Sequence, residues 1–294
     1  MIAQLYLLSE SLKYNGKDTE CVLLKKMNAF VEDLKYIYKY REENRIMIDP
    51  AIYNVNIFFG KKLFDIIDLL ERDGRNLLYS VLGNTSSQTD LKMEAIKNEC
   101  LNHNQDNCSA ILAFNTIENI VEEVIIVYDK QSWFDFRRKF LGKYPQDSDY
   151  FIEECKKYFE NLFFHDNNKK SVNGYLSNFS IKIVKYLSDL NDDFKPFYEQ
   201  NRNISNTNDL LKKFSVMHSH DEHASLQGNH EKKDMLTFTF NTQKICCEPH
   251  LKISKSDRYP KDPKDDYAVR IYFHFGLINV ENGRILIGSI GPHI

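Results

Sequence analysis

Near the C-terminus, Glu248, His250, Lys252, Arg270, Tyr272, His274 and His293 supply the side-chain types that can cut a phosphodiester without a metal. An ammonium and a guanidinium hold the phosphate and its developing charge. A carboxylate or imidazole removes the proton of a 2′-hydroxyl, and a second imidazole returns one to the leaving 5′-oxygen. The spacing gives these groups a sidedness. Along Tyr267–Phe275, alternation puts Arg270, Tyr272 and His274 on one face of a strand and Ile271, Phe273 and Phe275 on the other. Along the preceding stretch, His250, Lys252 and Ser254 point one way, and Leu251 and Ile253 the other. Glu281-Asn282-Gly283 separates Tyr267–Phe275 from the apolar run Arg284–Ile290, a turn signal that predicts two adjacent antiparallel strands. Strands meeting in register bring the cations, the phenol and up to three imidazoles onto one sheet face. The plainer structural alternative is a strand face of solvated polar residues.

The order of these motifs resembles the end of RelE/YoeB-type toxins. It runs through Pro249-His250-Leu251-Lys252, a polar loop, Arg270-Ile271-Tyr272-Phe273, a hairpin, an apolar strand and His293 beside the C-terminus. Those toxins are small metal-independent ribonucleases of the BECR fold. The resemblance implies an antiparallel sheet preceded by helix and cleavage of RNA, usually messenger on the ribosome. It also implies that Lys252 and Arg270 act on the phosphate and that His293 serves as general acid. Glu248 or His250 stands where the YoeB branch has its glutamate base. The chain departs from the pattern in ending His293-Ile294 instead of His-Tyr, and Arg284 opens the last strand where RelE has an arginine near its close.

The elements that must position these groups follow from pattern and composition. The chain has 294 residues, enough for two domains. With 42% apolar and 28% charged residues and only 11 Gly and 7 Pro, it reads as an ordinary globular protein without long disordered linkers. Up to about residue 200 the apolar spacing reads as helical, clearest over Glu20–Tyr40. Asp49-Pro50 predicts a helix start, with Asp49 as N-cap and the helix running to Leu70. Asp90–Leu101, Ser109–Val127, Ser148–Phe164, Ser171–Leu190 and Asp209–Met217 read as further helices, and the Asn/Ser/Thr run from Asn201 to Asn208 as a linker. The expected class is α+β: a large, mainly helical N-terminal domain over 1–205, then a small antiparallel β-sheet domain of RelE-like type over 206–294. The helical portion would regulate the nuclease or bind an inhibitory or sensing protein partner.

Charge excludes a strongly basic nucleic-acid binder. The net charge is −3, and from Glu231 onward ten Lys or Arg face eight Asp or Glu, so any grip on RNA is local. The helix-like run Trp133–Phe140 is aromatic and basic, and Arg137, Arg138 and Lys139 are candidate RNA contacts against the alternative of a solvated face over a core stripe. Met217–His223, with His230, offers imidazoles and carboxylates but no zinc-ligand spacing and reads as a solvated loop. Cys100, His103 and Cys108 lack a fourth ligand nearby. No metal or cofactor is expected. No Gly-rich phosphate loop, nucleophile elbow or zinc-protease motif occurs. Six cysteines in a chain with no membrane span or signal pattern at its start predict reduced thiols in the cytoplasm. The leading expectation is a regulated, metal-independent endoribonuclease of a toxin-antitoxin or phage-defence system. The alternatives are a non-catalytic protein- or nucleic-acid-binding module and, lower, a metal-dependent nuclease built around Glu248 and Lys252.

Overall fold

A computed structural model describes the chain except at residues 15, 86, 119, 227–232, 255–268 and 294. Tyr267, Ala268, His230 and Ile294, which figure in the sequence reading, lie outside the described residues. The chain divides into two compact units, Met1–Arg137 and Arg138–Ile294. The unit holding the C-terminal sheet thus begins well before residue 206, where the sequence suggests a boundary.

The first unit is not mainly helical. Its elements are β1 (Ala3–Leu7), α1 (Ser9–Leu12), α2 (Glu20–Lys39), β2 (Asn44–Ile48), β3 (Asn56–Phe58), β4 (Lys61–Lys62), α3 (Leu63–Ile67), α4 (Arg72–Ser80), β5 (Ser87–Gln88), α5 (Met93–Leu101), β6 (Cys108–Leu112) and β7 (Ile126–Val127). Among the described residues, β5-β2-β1-β6-β7 form one sheet in that spatial order, every pair parallel. On one face, Tyr6 and Ile111 pack with Ile96 and Cys100 of α5. On the other parity, Leu5, Leu7, Ile46, Ile48, Ala110 and Leu112 are also buried, so both faces are covered. Burial on both faces explains why Ser109–Val127 misleads: a doubly covered parallel strand is a continuous apolar run without alternation, indistinguishable by period from a buried helix. Asp49 does cap, accepting the Ala51 N–H at 2.9 Å, but it opens only a short 3-10 turn, Pro50–Asn54, and not a helix reaching Leu70. The long helix read at Glu20–Tyr40 is α2, capped by Thr19, with Leu23, Met27, Phe30, Val31, Leu34 and Ile37 buried along one stripe.

Helix α6 (Lys130–Lys143) leads into the second unit, which continues with α7 (Ser148–Tyr158), β8 (Leu162–Phe164), α8 (Asn167–Ser171), α9 (Leu176–Asp192), α10 (Phe194–Gln200), α11 (Thr207–Met217), β9 (Thr237–Phe240), β10 (Gln243–Cys246), β11 (His250–Ile253), β12 (Val269–His274) and β13 (Ile285–Gly291). Among the described residues, four strands form a sheet in the order β11-β12-β13-β8. The first three are antiparallel as expected. The edge strand β8 pairs parallel to β13, so the sheet is mixed.

Alternation on β12 sets the two layers that flank this sheet. Ile271 and Phe273, with Leu251, Ile253, Ile285, Ile287 and Ile290, face helical residues such as Phe151, Ile183, Leu187, Phe194 and Phe214. The opposite side carries Tyr272 and Leu286, which are covered by Phe238, Phe240 and Ile245 of the β9-β10 hairpin. The register of β12 with β13 slips between Tyr272 and Phe273, leaving Gly288 as the extra residue of a bulge. The bulge is tied down by Asn168, whose amide donates to the carbonyls of Ile287 at 2.8 Å and of His165 at 2.8 Å. A Cβ at Gly288 would run into the ring of Phe238 and come within 2.9 Å of Cys247 Sγ.

Gly288→Ala is therefore expected to cost about 1–3 kcal/mol of unfolding free energy by overpacking. Gly174→Ala, where a Cβ meets nothing within 4 Å, should be close to neutral. Urea unfolding of the two variants beside the parent checks both.

Candidate functional site

The sheet register decides which of the expected groups meet. Across β11, β12 and β13, Lys252 lies opposite Arg270, and Arg270 opposite Gly291. Two pairs further along, His250 lies opposite Tyr272, and Tyr272 opposite Ser289. His293 is two residues past Gly291 and exposed, within ~7 Å of it along the chain. His274 sits four residues along β12 from Arg270, about 13 Å away by strand rise. Glu248 belongs to that far end too, because the adjacent Pro249 carbonyl accepts the Phe273 N–H at 2.9 Å. The expected cluster is thus split. Lys252, Arg270 and the His293 terminus share one end; Glu248 and His274 occupy the other.

Between the two ends, His250 and Tyr272 are buried, at 4% and 0% exposure, with ring centroids 5.0 Å apart and Tyr272 under the β9-β10 layer. The His250 ring is held at both nitrogens: Nδ1 is 3.2 Å from the Glu248 carbonyl, and Nε2 is 3.4 Å from Ser225 Oγ. Burial, partly offset by the Glu248 carbonyl and reinforced by the Arg270 and Lys252 charges, pushes its pKa down to about 4. It is neutral at pH 7 but a weak base, and its place is structural. This corrects the expectation that His250 and Tyr272 stand beside the reacting atoms. Glu248 is no nearer to serving as base, since its carboxylate pairs with Lys233 at 3.1 Å. His274 Nδ1 accepts the Gly276 N–H at 3.1 Å, and burial lowers its pKa.

At the other end the chemistry is cationic. Lys252 and Arg270 are both half-buried, and like charges directly opposite on an antiparallel pair repel. Burial, and then the Arg270 charge, lower the Lys252 pKa, while the Glu222 carboxylate pulls it back up. Glu222 comes from the segment after α11. Its neighbour Asp221 docks that segment on the strand end by accepting the Ser254 N–H at 3.0 Å and pairing with Lys182 at 3.2 Å. On the same face, α8 approaches Gly291 so closely that a Cβ there would lie 2.8 Å from the Ser171 carbonyl. Lys252, Arg270 and Gly291 therefore form a row across three strands, with Glu222 on one flank and the Ser171 main chain on the other.

The segment Met217–His223 is no solvated loop. The His220 side chain is fully buried, stacked on Tyr186 with centroids 4.1 Å apart, its Nε2 2.9 Å from Asp189 Oδ2. Asp189 also receives His218 Nδ1 at 3.4 Å and Lys185 Nζ at 2.9 Å. Burial pushes the Asp189 pKa up, but the His220 and Lys185 hydrogen bonds outweigh it and hold the carboxyl below its usual range. These contacts anchor the segment that delivers Glu222, a role the sequence does not announce because the partners lie on α9, some thirty residues back. Among the described residues no group of three or more His, Cys, Asp or Glu is placed to hold a metal. Cys100 lies in the core, where burial drives its thiol up to about 12 and leaves it inert.

Arg137 and Arg138 are also corrected. Arg137 is fully buried, its guanidinium 3.3 Å from the Met1 carbonyl, 3.5 Å from the Glu43 carbonyl and 3.6 Å from the Glu43 carboxylate. Arg138 is 2% exposed, donates to the Tyr158 carbonyl at 2.9 Å and pairs with Asp192 at 2.6 Å. Trp133, fully buried, stacks on Tyr40 and donates to Asn44 Oδ1 at 3.2 Å. Of the basic run only Lys139 is exposed, so these residues form no platform for RNA. Helix α6 takes its cations inside because each finds main-chain carbonyls and a carboxylate there.

No family model, curated protein or solved structure matches the chain in comparisons of its sequence and fold. No described helix is long and apolar enough to cross a membrane.

The depressed pKa of His250 makes stability pH-dependent with a definite sign. Between the unfolded pKa near 6.5 and the folded value of about 4, the unfolded chain binds the extra proton, so stability is lost as pH falls through that window. On going from pH 7 to pH 5 the loss from His250 alone is on the order of 2 kcal/mol. Denaturant unfolding at the two pH values should show it, with a smaller fall in His250→Gln; an equal fall in that variant would rule His250 out as the cause.

Proposed function

We propose that the second unit is a metal-independent endoribonuclease whose reacting phosphate sits on Lys252 and Arg270. The observation that carries the reading is the direct opposition of two half-buried cations across adjacent strands, a pair of positive groups that suits a phosphate. Glu222, near enough to raise the Lys252 pKa, takes the place of the base that His250 and Glu248 cannot fill. In this scheme Glu222 accepts the 2′-hydroxyl proton and the 2′-oxygen bonds to phosphorus. The bond to the 5′-oxygen breaks, and His293 donates the proton to that oxygen. The products are a 2′,3′-cyclic phosphate and a 5′-hydroxyl end. Arg270 and Lys252 offset the charge that builds on the non-bridging oxygens. RNA, free or ribosome-bound, is the substrate, and a regulated toxin or phage-defence effector is the setting the motif resemblance suggests, with the first unit as the part that meets a sensing or inhibitory partner.

A second reading, a binding module without catalysis, draws on the burial of His250 and Tyr272, which removes two of the expected catalytic groups from the open face.

Purified full-length protein should cut total cellular RNA in EDTA to fragments with 5′-hydroxyl ends. Glu222→Gln and His293→Ala should each slow cleavage by roughly 10²-fold or more while folding normally. RNA that is bound but never cut would favour the binding module. Cleavage that stops in EDTA and ignores His293→Ala would overturn the scheme.

A further inference from the structure

Residues 218–226, which follow α11, contain no helix and one isolated β-bridge, yet they are fastened at both ends. At the α9 end, the His220 side chain lies buried on the Tyr186 ring with its Nε2 2.9 Å from Asp189 Oδ2. The Asp221 N–H donates to the Tyr186 hydroxyl at 2.6 Å, and the Asp221 carboxylate pairs with Lys182 at 3.2 Å and accepts the Ser254 N–H at 3.0 Å. At the β11 end, Ser225 and His250 exchange main-chain hydrogen bonds of 3.2 and 3.0 Å. Ser225 Oγ also lies 3.4 Å from His250 Nε2. One imidazole thus stands at each end of the segment.

Each of those rings is docked as a neutral group. Asp189 fixes the His220 proton on Nε2, and among the described residues Nδ1 has no hydrogen-bond partner. A second proton would put a buried N–H there with nothing to accept it. The Asp189 carboxylate already receives Lys185 Nζ at 2.9 Å and His218 Nδ1 at 3.4 Å, so a charged His220 would be a further cation on the same group. The other charged or titratable groups nearby are Tyr186 and Lys182 on α9, Asp193 just past it, and Asp221, Glu222 and His223 on the segment itself. Asp193 reaches only His218, at 3.9 Å. Burial, with the Lys185 and His218 charges, lowers the His220 pKa against the pull of Asp189. Burial likewise takes His250 down to about 4, with Arg270 and Lys252 adding to the shift and the Glu248 carbonyl opposing it. Tyr272 packs on the His250 ring, and the Glu248 carboxylate is paired with Lys233. Lifting the segment frees His220 and withdraws Ser225 from His250. The freed imidazole returns toward its ordinary value near 6.5, so the lifted state binds the extra proton and docking weakens as pH falls below that value. Asp189, held below its usual range, keeps its charge through this window, so loss of the carboxylate is not what opens the segment.

We propose that residues 218–226 form a proton-released strap, docked on α9 and β11 while His220 and His250 are neutral and lifted from both as the rings take up protons. Its release carries Asp221 away from Ser254 and Glu222 away from Lys252, so acid uncovers the end of the sheet where Lys252 and Arg270 lie. The strap rests on these contacts alone and not on the nuclease reading.

Hydrogen–deuterium exchange of the full-length protein at pH 7 and pH 5, read peptide by peptide at times scaled for the intrinsic exchange rate, tests the strap. Exchange of residues 218–226 is expected to quicken by about tenfold or more at pH 5, while α2 and β12 stay protected. Glutamine keeps an N–H for Asp189 and takes up no proton. His220→Gln should therefore lessen the acceleration, and His220→Gln/His250→Gln should abolish it. If a variant is already undocked at pH 7, the parent decides: NMR of its histidine rings must show His220 taking its proton over the pH range in which the segment opens. Unchanged protection of 218–226 at pH 5 overturns the proposal. So does an equal acceleration in every peptide, an equal acceleration in the double variant, or a protonated His220 beside a protected segment.

Discussion

The second unit depends on the register of its central strand. β12 is paired on both sides, and because side chains alternate along it, that pairing decides at once what is buried and what is brought together. A slip of one residue would turn Ile271 and Phe273 away from the helices and drive Arg270 into them. The register is guarded from two directions: by the apolar layer of α7 to α11 on one face, and on the other by the bulge at Gly288, where a Cβ would run into the Phe238 ring. Once it is fixed, the opposition of Lys252 and Arg270 follows, with Glu222 on the flank of Lys252.

That same geometry grades the polar face by depth. Tyr272 lies under the β9-β10 hairpin, and His250 is buried against it with its ring held by the Glu248 carbonyl and Ser225. Lys252 and Arg270, two pairs further along, stay half-buried. The difference between the fully buried pair and the half-buried pair here is two register positions along the strand. It is read in the direction of the pKa shifts: His250 is pressed to neutrality by burial, while Lys252 is drawn down by burial and Arg270 and drawn back by Glu222.

Much of this was legible from residue order. Alternation over Arg270–Phe275, the turn at Asn282-Gly283 and the amphipathic stripe of α2 each translate into structure because they are local signals with a local cause: Asn282 and Gly283 take positive φ of 56° and 74° as the turn requires. What was hidden depends on partners distant in sequence. The parallel sheet of the first unit was masked because Cys108–Leu112 is buried on both faces and shows no alternation. Arg137 and Arg138 look like an RNA-binding run until Glu43, Tyr158 and Asp192 are seen to enclose them. Glu222 looked like part of a polar loop because Asp189, which anchors that loop through His218 and His220, is on another helix. Depth along a strand, which separates His250 from Lys252, has no signature in a period of two.

The proposed site depends on the cation row. The most direct measurement is the salt dependence of affinity for an RNA oligonucleotide made uncleavable by 2′-deoxy substitution, in the full-length parent and in Arg270→Gln. If Arg270 holds a backbone phosphate, the variant binds more weakly and its slope of log affinity against log salt is shallower by about one ion. Equal affinities and equal slopes would show that the phosphate does not lie on Arg270, and the proposed site would fail with it.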